Sequence, residues 1–318
     1  MKKLFAVFFV IVVAFSLVGC QPNEIDIYVP DGAPALAVAS VIADGDFYGK
    51  SKVNVHIVTE DNVVPNILNG QADVALLPGN TAATLYNKGA GYSLLSANSF
   101  GLLYLVGTGE QDIKQLEGKV VLSIGKGKIP EFVFKIILEH NGLEYEDSDV
   151  AVPGKVAIKY MNGPEIVASL VQGLAGYAVL GEPVVTQVLQ KGQQRGIAII
   201  QDLQQAWKQY TGAETFVQSC AVVSDSLKGS DFIDALSVKL QQNQQYITEN
   251  TDSLSDILKQ AGSALQVQFT AEIIERCNLD FVKATEVRSQ FEDFLSILIE
   301  WNANTVEGGL PDDGFYLQ

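Results

Sequence analysis

Five apolar runs in this chain open with a proline, at Pro34, Pro65, Pro130, Pro164 and Pro183. Proline suits the first turn of a helix, where its missing N–H would have had no partner anyway. The free N–H groups that follow point out of the helix end, beside the positive pole of its dipole. Four of the five carry small or polar residues in front: Asp31-Gly32-Ala33-Pro34, Gly127-Lys128-Ile129-Pro130, Asn162-Gly163-Pro164 and Gly181-Glu182-Pro183. Pro78-Gly79-Asn80-Thr81 joins them, with Asn80 or Thr81 as the cap. Helix ends of this kind hold anions and polar groups. The chemistry they offer is capture of a small solute.

Bond-making chemistry has thinner support. Ser123-Ile124-Gly125-Lys126 matches a Ser-x-x-Lys pattern, but the companion Ser-Asp-Asn and Lys-Thr-Gly motifs are missing. Gly125 and Gly127 lack the third glycine of a dinucleotide turn, and no phosphate-binding Gly-Lys-Ser/Thr loop occurs. His56 and His140 stand without ligand-like spacing to another His or Cys, which argues against a metal or other cofactor. Asp312-Asp313 is a carboxylate pair in a Gly- and Pro-rich tail, where solvation is the expected role. The reading is a binder and not an enzyme.

The elements that must position these turns alternate. Strands are predicted at Ile25 to Val29, Val53 to Val58, Val74 to Leu77 and Leu102 to Val106, with helices at Pro34 to Ala43, Val63 to Leu68 and Thr81 to Asn87. A second set follows: strands at Lys119 to Ile124, Val156 to Tyr160, Tyr177 to Leu180 and Ile197 to Ile200, with helices from Pro130, Pro164 and Pro183. Phe216 to Val223 reads as a strand returning to the first set, and the remainder as helical. Repeated βα units predict α/β lobes with mostly parallel sheets. Ligands of such sheets collect outside the carboxyl ends of the strands, where the five turns lie. Residues 25–106 with 224–318 are expected to form one lobe and 107–223 the other, with chain crossings near Val106–Gly109 and Phe216–Val223.

The N-terminus adds a location. Met1-Lys2-Lys3 precedes an apolar stretch from Leu4 to Val18, too short for an uninterrupted membrane span of about 20 residues. It ends at Gly19-Cys20 and so resembles a bacterial lipoprotein signal: residues 1–19 form the leader, Cys20 takes the lipid, and residues 20–24 form a tether. The protein is then expected on the extracytoplasmic face of the cell membrane. Its net charge of −16 disfavours nucleic acid and anionic lipid as partners. Cys220 and Cys277 are read as unpaired thiols.

Several stretches together resemble the extracytoplasmic substrate-binding proteins of ABC importers, in the nitrate/taurine/alkanesulfonate group. They are Pro30 to Ala37, Leu68 to Ala75 leading into Leu77 to Asn80, Gly118-Lys119 with Gly125 to Pro130, Leu180 to Pro183, and Gly308 to Tyr316. The resemblance implies a type II periplasmic-binding fold, two α/β lobes with a ligand cleft between them. It also implies a monomer that delivers its solute to an ABC permease and ATPase. By position, Gly32, Ala33, Pro34, Asn80 and Thr81 face the solute from the first lobe, and Lys128, Ile129, Asn162 and Glu182 from the second. Asn98 and Ser99 are further candidates. Lys126 and Lys128 stand where family members often carry Ser or Thr, which favours an anion. Glu182 pointing inward favours an amine or aminopyrimidine, so the ligand class stays open. The same fold also hosts thiamine-pyrimidine synthases and chorismate dehydratases, and a ligand sensor without a transporter is a third alternative.

Overall fold

The computed structural model describes residues 24–109 and 112–318. The expected leader, Cys20 and most of the tether lie outside the described residues. No helix among the described residues is long and apolar enough to cross a membrane.

Two six-stranded sheets organise the chain. The first contains β1 (Ile25–Pro30), β2 (Val53–Val58), β3 (Val74–Leu77), β4 (Tyr92–Phe100), β11 (Val217–Ser224) and β12 (Leu279–Lys283), in the order β12-β4-β11-β3-β1-β2. The second contains β5 (Leu103–Gly107), β6 (Val120–Ser123), β7 (Tyr145–Asp147), β8 (Val156–Tyr160), β9 (Tyr177–Gly181) and β10 (Ala198–Asp202), in the order β10-β5-β9-β6-β8-β7. The architecture is two α/β sheets covered by helices.

Three features depart from the sequence expectation. The sheets are mixed rather than mostly parallel. β1, β2 and β3 run parallel, as do β6 to β9, but β11, β4, β12, β5 and β10 pair antiparallel. The strands on either side of the passages between sheets arrive from the opposite direction, so they enter reversed. β5, expected to close the first set, lies in the second sheet; the chain changes sheets at Gly101-Leu102 and returns through residues 212–216. β4 and β12 are not announced by periodicity. β4 is buried along its whole length and includes Ser93, Ser96, Asn98 and Ser99, so alternation of apolar and polar residues is lost.

Helices in the first part are α1 (Ala33–Leu36), α2 (Ala39–Ala43), α3 (Glu60–Leu68) and α4 (Gly79–Asn87). The second sheet is flanked by α5 (Ile129–His140), α6 (Gly163–Gln172), α7 (Val184–Lys191) and α8 (Leu203–Thr211). The chain ends with α9 (Asp231–Gln241), α10 (Asn243–Glu249), α11 (Thr251–Gln260), α12 (Ala271–Arg276) and α13 (Ala284–Trp301). The predicted helix from Pro34 to Ala43 is interrupted, because Val38 leaves helical geometry between α1 and α2. Pro34, Pro130 and Pro164 do sit in first turns. Pro183 is instead the residue before α7, and Pro65 lies inside α3, which starts five residues earlier. One apolar core draws Leu77 and Leu94 from the first sheet, Ile158 and Val179 from the second, and Phe294 from the long C-terminal helix α13. Separate cores pack the first sheet on α2, α9 and α11, and the second on α6 and α7.

Candidate ligand-binding cleft

A cleft of about 1010 Å³ opens between the two sheets. The first sheet contributes the β1–α1 turn from Pro30 to Pro34, the β2–α3 turn from Val58 to Asp61, and Leu77-Pro78. The second contributes Ile124, Gly125, Lys126 and Lys128 to Pro130, then Tyr160 to Pro164, and Leu180 to Glu182. All of these follow strands β1, β2, β3, β6, β8 and β9. The chain therefore builds the wall at carboxyl ends of its strands, where short turns expose backbone and leave room for a ligand. Ser99, Leu102, Gln218 and Ser219 form the base beside the two passages, and Ala264 to Gln266 the rim.

Of the residues expected at the site, Gly32, Ala33, Pro34, Ser99, Lys128, Ile129, Asn162 and Glu182 line this cleft. Thr81 lines an adjoining recess of about 200 Å³ with Pro30, Glu60 and Lys128. Asn80 does not reach the cleft. It is buried and donates from Nδ2 to the Thr305 carbonyl at 3.0 Å, tying α4 to the C-terminal segment. Asn98 is also buried away from the cleft, where its Oδ1 accepts from Ser96 Oγ at 2.9 Å. Asn80 Nδ2 and Asn98 Oδ1 thus serve protein partners, while Asn80 Oδ1 is buried with none among the described residues.

Charge on the wall is already matched. Lys128 crosses to the opposite wall, 2.8 Å from Asp61 and 3.2 Å from Glu60. Burial works against its cation, but those two carboxylates outweigh it and hold its pKa above the ordinary lysine value. Lys126 is exposed, 3.4 Å from Asp147 and 5.2 Å above the Tyr160 ring. Glu182, fully buried, accepts from Arg276 Nε at 2.7 Å, and from Thr186 N and Oγ1 at 3.0 Å each. It is therefore held by α12 and α7 and does not present a bare carboxylate to an amine.

Asp31 accepts from Gly32 N, Ser263 Oγ and Ala264 N. Glu131, in the first turn of α5, accepts from Gly127 N and from Lys135 Nζ, each at 2.5 Å. Asn162 caps α6 by accepting from Glu165 N at 3.0 Å.

Sequence reasoning missed the β2–α3 turn. Thr59-Glu60-Asp61 before an apolar run is a helix-start signal in its own right, with acidic residues in the first turn.

Two other expectations resolve locally. Ser123 is buried and donates to the Ile124 carbonyl, while Lys126 turns to Asp147, so the Ser-x-x-Lys match does not form a nucleophile–base pair. Asp312 and Asp313 do more than meet solvent: Asp312 accepts from Tyr86 OH, and Asp313 lies 2.7 Å from Arg288. Cys220 and Cys277 are buried and unpaired, and burial pushes both thiols above their ordinary value.

Against known proteins, no family model and no curated protein matches the sequence. Solved structures do match in fold. One described as an ABC transporter from Parabacteroides distasonis is 25% identical, covering 93% of this chain and 99% of that one, with a TM-score of 0.76. The periplasmic aliphatic sulphonate binding protein of Escherichia coli is 13% identical, with 94% and 98% covered and a TM-score of 0.68. The ligand-binding component of an ABC-type import system from Staphylococcus aureus is 11% identical, with 93% and 96% covered and a TM-score of 0.64. The fold is thus that of periplasmic-binding proteins.

Proposed function

We propose that this protein is the solute-binding component of an ABC importer of the nitrate/taurine/alkanesulfonate group, closing its two lobes on a small organic solute and handing it to a membrane permease. The observation that carries this reading is the position of the cleft. It lies between two sheets joined, among the described residues, by two chain passages, at Gly101-Leu102 and through residues 212–216. Rotation about two short passages is the simplest way for such a body to bury a ligand. The ligand must bind the closed form better than the open one to drive that change. Likeness to solved ABC import proteins supports the same role.

The test is to denature the full chain purified from its source, identify the released small molecule by mass spectrometry, and add it back. It should bind with 1:1 stoichiometry, reduce the radius of gyration in solution scattering, and be recovered unchanged. Ala168, exposed on the cleft face of α6, is the place to block it. Ala168→Trp should weaken binding at least tenfold, about 1.4 kcal/mol, with little change in melting temperature. A chemically altered product would move the protein to the enzyme class, and binding indifferent to Ala168→Trp would refute the site.

The anchoring at Cys20 belongs to the same proposal. Lipid chains contribute about 0.8 kcal/mol per buried CH₂, so Cys20→Ser should shift the protein from the membrane to the soluble fraction. Membrane fractionation that shows no shift would remove the anchor.

A further inference from the structure

We infer that the cleft selects an uncharged, largely apolar organic solute with a hydrogen-bonding head, and discriminates against anions; this rests on the solute-binding reading above. A cleft surrounded by helix starts is at first sight an anion site. Here the protein supplies its own acceptors. The Glu131 carboxylate occupies Gly127 N beside α5, and the Glu182 carboxylate occupies Thr186 N in α7. The Asn162 side chain occupies Glu165 N in α6, and Asp31 takes Gly32 N ahead of α1. Glu60 and Asp61 stand in the first turn of α3. An incoming anion would meet these groups as repulsion or as competition for donors already used. Among the helix starts facing the cleft, a side chain takes a helix N–H only at α6 and α7; α1, α3 and α5 have carboxylates beside their uncapped starts, and α4 has neither.

Two of the three lysines that line the cleft are paired with carboxylates. Lys128 is shared by Glu60 and Asp61, Lys126 faces Asp147 in solvent, and Lys191 at the rim donates to Gln266 Oε1 at 3.0 Å. No arginine lines the cleft among the described residues. Among the lining lysines only Lys191, at the rim, has no carboxylate partner among the described residues, so an anion desolvated deeper in the cleft would lack a free charged partner, a cost that a neutral solute avoids. Much of the remaining wall is apolar, with Ile124, Met161, Val167, Val171, Leu180 and Leu265 on it. The base offers neutral hydrogen-bonding groups, the Ser99–Ser219 hydroxyl pair at 2.7 Å and the Gln218 amide. An apolar wall with a few placed polar groups suits an amide, carbonyl or hydroxyl head on a hydrocarbon body.

The experiment uses two polarity-sensitive dyes of similar size on the full chain, neutral 1-aminoanthracene and anionic 1-anilinonaphthalene-8-sulfonate. Competition follows with naphthalene-2-sulfonamide and naphthalene-2-sulfonate. The neutral dye should bind at one site with a Kd at least tenfold below that of the anionic dye. Ala168→Trp should weaken it at least tenfold, and the sulfonamide should displace it at concentrations where the sulfonate does not. A sulfonate that binds the cleft as tightly as its neutral counterpart, with the same sensitivity to Ala168→Trp, overturns the inference and leaves the solute-binding reading intact. If neither dye shows cleft binding sensitive to Ala168→Trp, the inference also falls. The released-solute experiment then decides the binding reading by itself.

Discussion

Trp207→Ala should destabilise the protein by about 3–5 kcal/mol, the usual range for emptying a large aromatic site in a core. Trp207 is fully buried on α8, the helix that follows the last strand of the second sheet. Its ring meets Phe216 edge-on at 5.6 Å and Phe294 at 5.7 Å. Phe216 leads into β11 of the first sheet and Phe294 lies on α13, so one side chain joins the packing of both halves. Truncation would leave a void at the place where the two sheets share a core, with little slack to collapse. Trp207 Nε1 has no protein acceptor among the described residues. Trp207→Phe therefore keeps most of the ring contacts and removes an unpartnered donor, and should cost less than about 2 kcal/mol. Urea unfolding with unchanged m-value measures both. Equal losses for the two variants would refute the packing account.

Arg276→Met should cost about 3 kcal/mol, toward the low end of the penalty for removing one partner of a buried ion pair. The Glu182 side chain is completely buried and Arg276 is about a quarter exposed, which moderates the estimate. Arg276 also donates from Nη2 to Thr186 Oγ1 at 2.9 Å, so its loss removes a donor from two acceptors and leaves the Glu182 charge with Thr186 alone. These contacts connect α12, packed on the first sheet, to the end of β9 in the second. In a chain of this size the melting temperature should fall by roughly 5 °C. Adding Glu182→Gln removes the unpaired charge but keeps an acceptor for Thr186, and should restore more than half of the loss. The interaction energy from the double-mutant cycle decides the matter. A double variant no more stable than Arg276→Met alone would show that the pairing is not what α12 contributes.

How much of the fold and the cleft was legible in the sequence depends on the range of each signal. Val53 to Val58, Val74 to Leu77 and Val156 to Tyr160 appear as strands at the expected residues, and the Pro34, Pro130 and Pro164 turns do open helices. Those are local effects of β-branched runs and of fixed proline geometry. The strand at Leu103–Gly107 was equally visible, but its sheet was not, because pairing partners lie far along the chain. β4 escaped because a strand buried on both faces need not alternate, and its polar side chains find partners inside the fold, Ser96 with Asn98, Ser99 with Ser219 of β11, and Ser93 with Asp225 and Gly314.

The amino-acid order by itself determined that this chain builds α/β units and places small, proline-led turns at strand ends, since spacing and backbone restriction act within a few residues. Only tertiary structure decided what those turns do with their charges. Lys128 and Glu182 looked like ligand groups until folding brought Asp61 from 67 residues away and Arg276 from 94. A carboxylate or ammonium leaving water binds whichever opposite charge the fold delivers, and no local pattern records that choice.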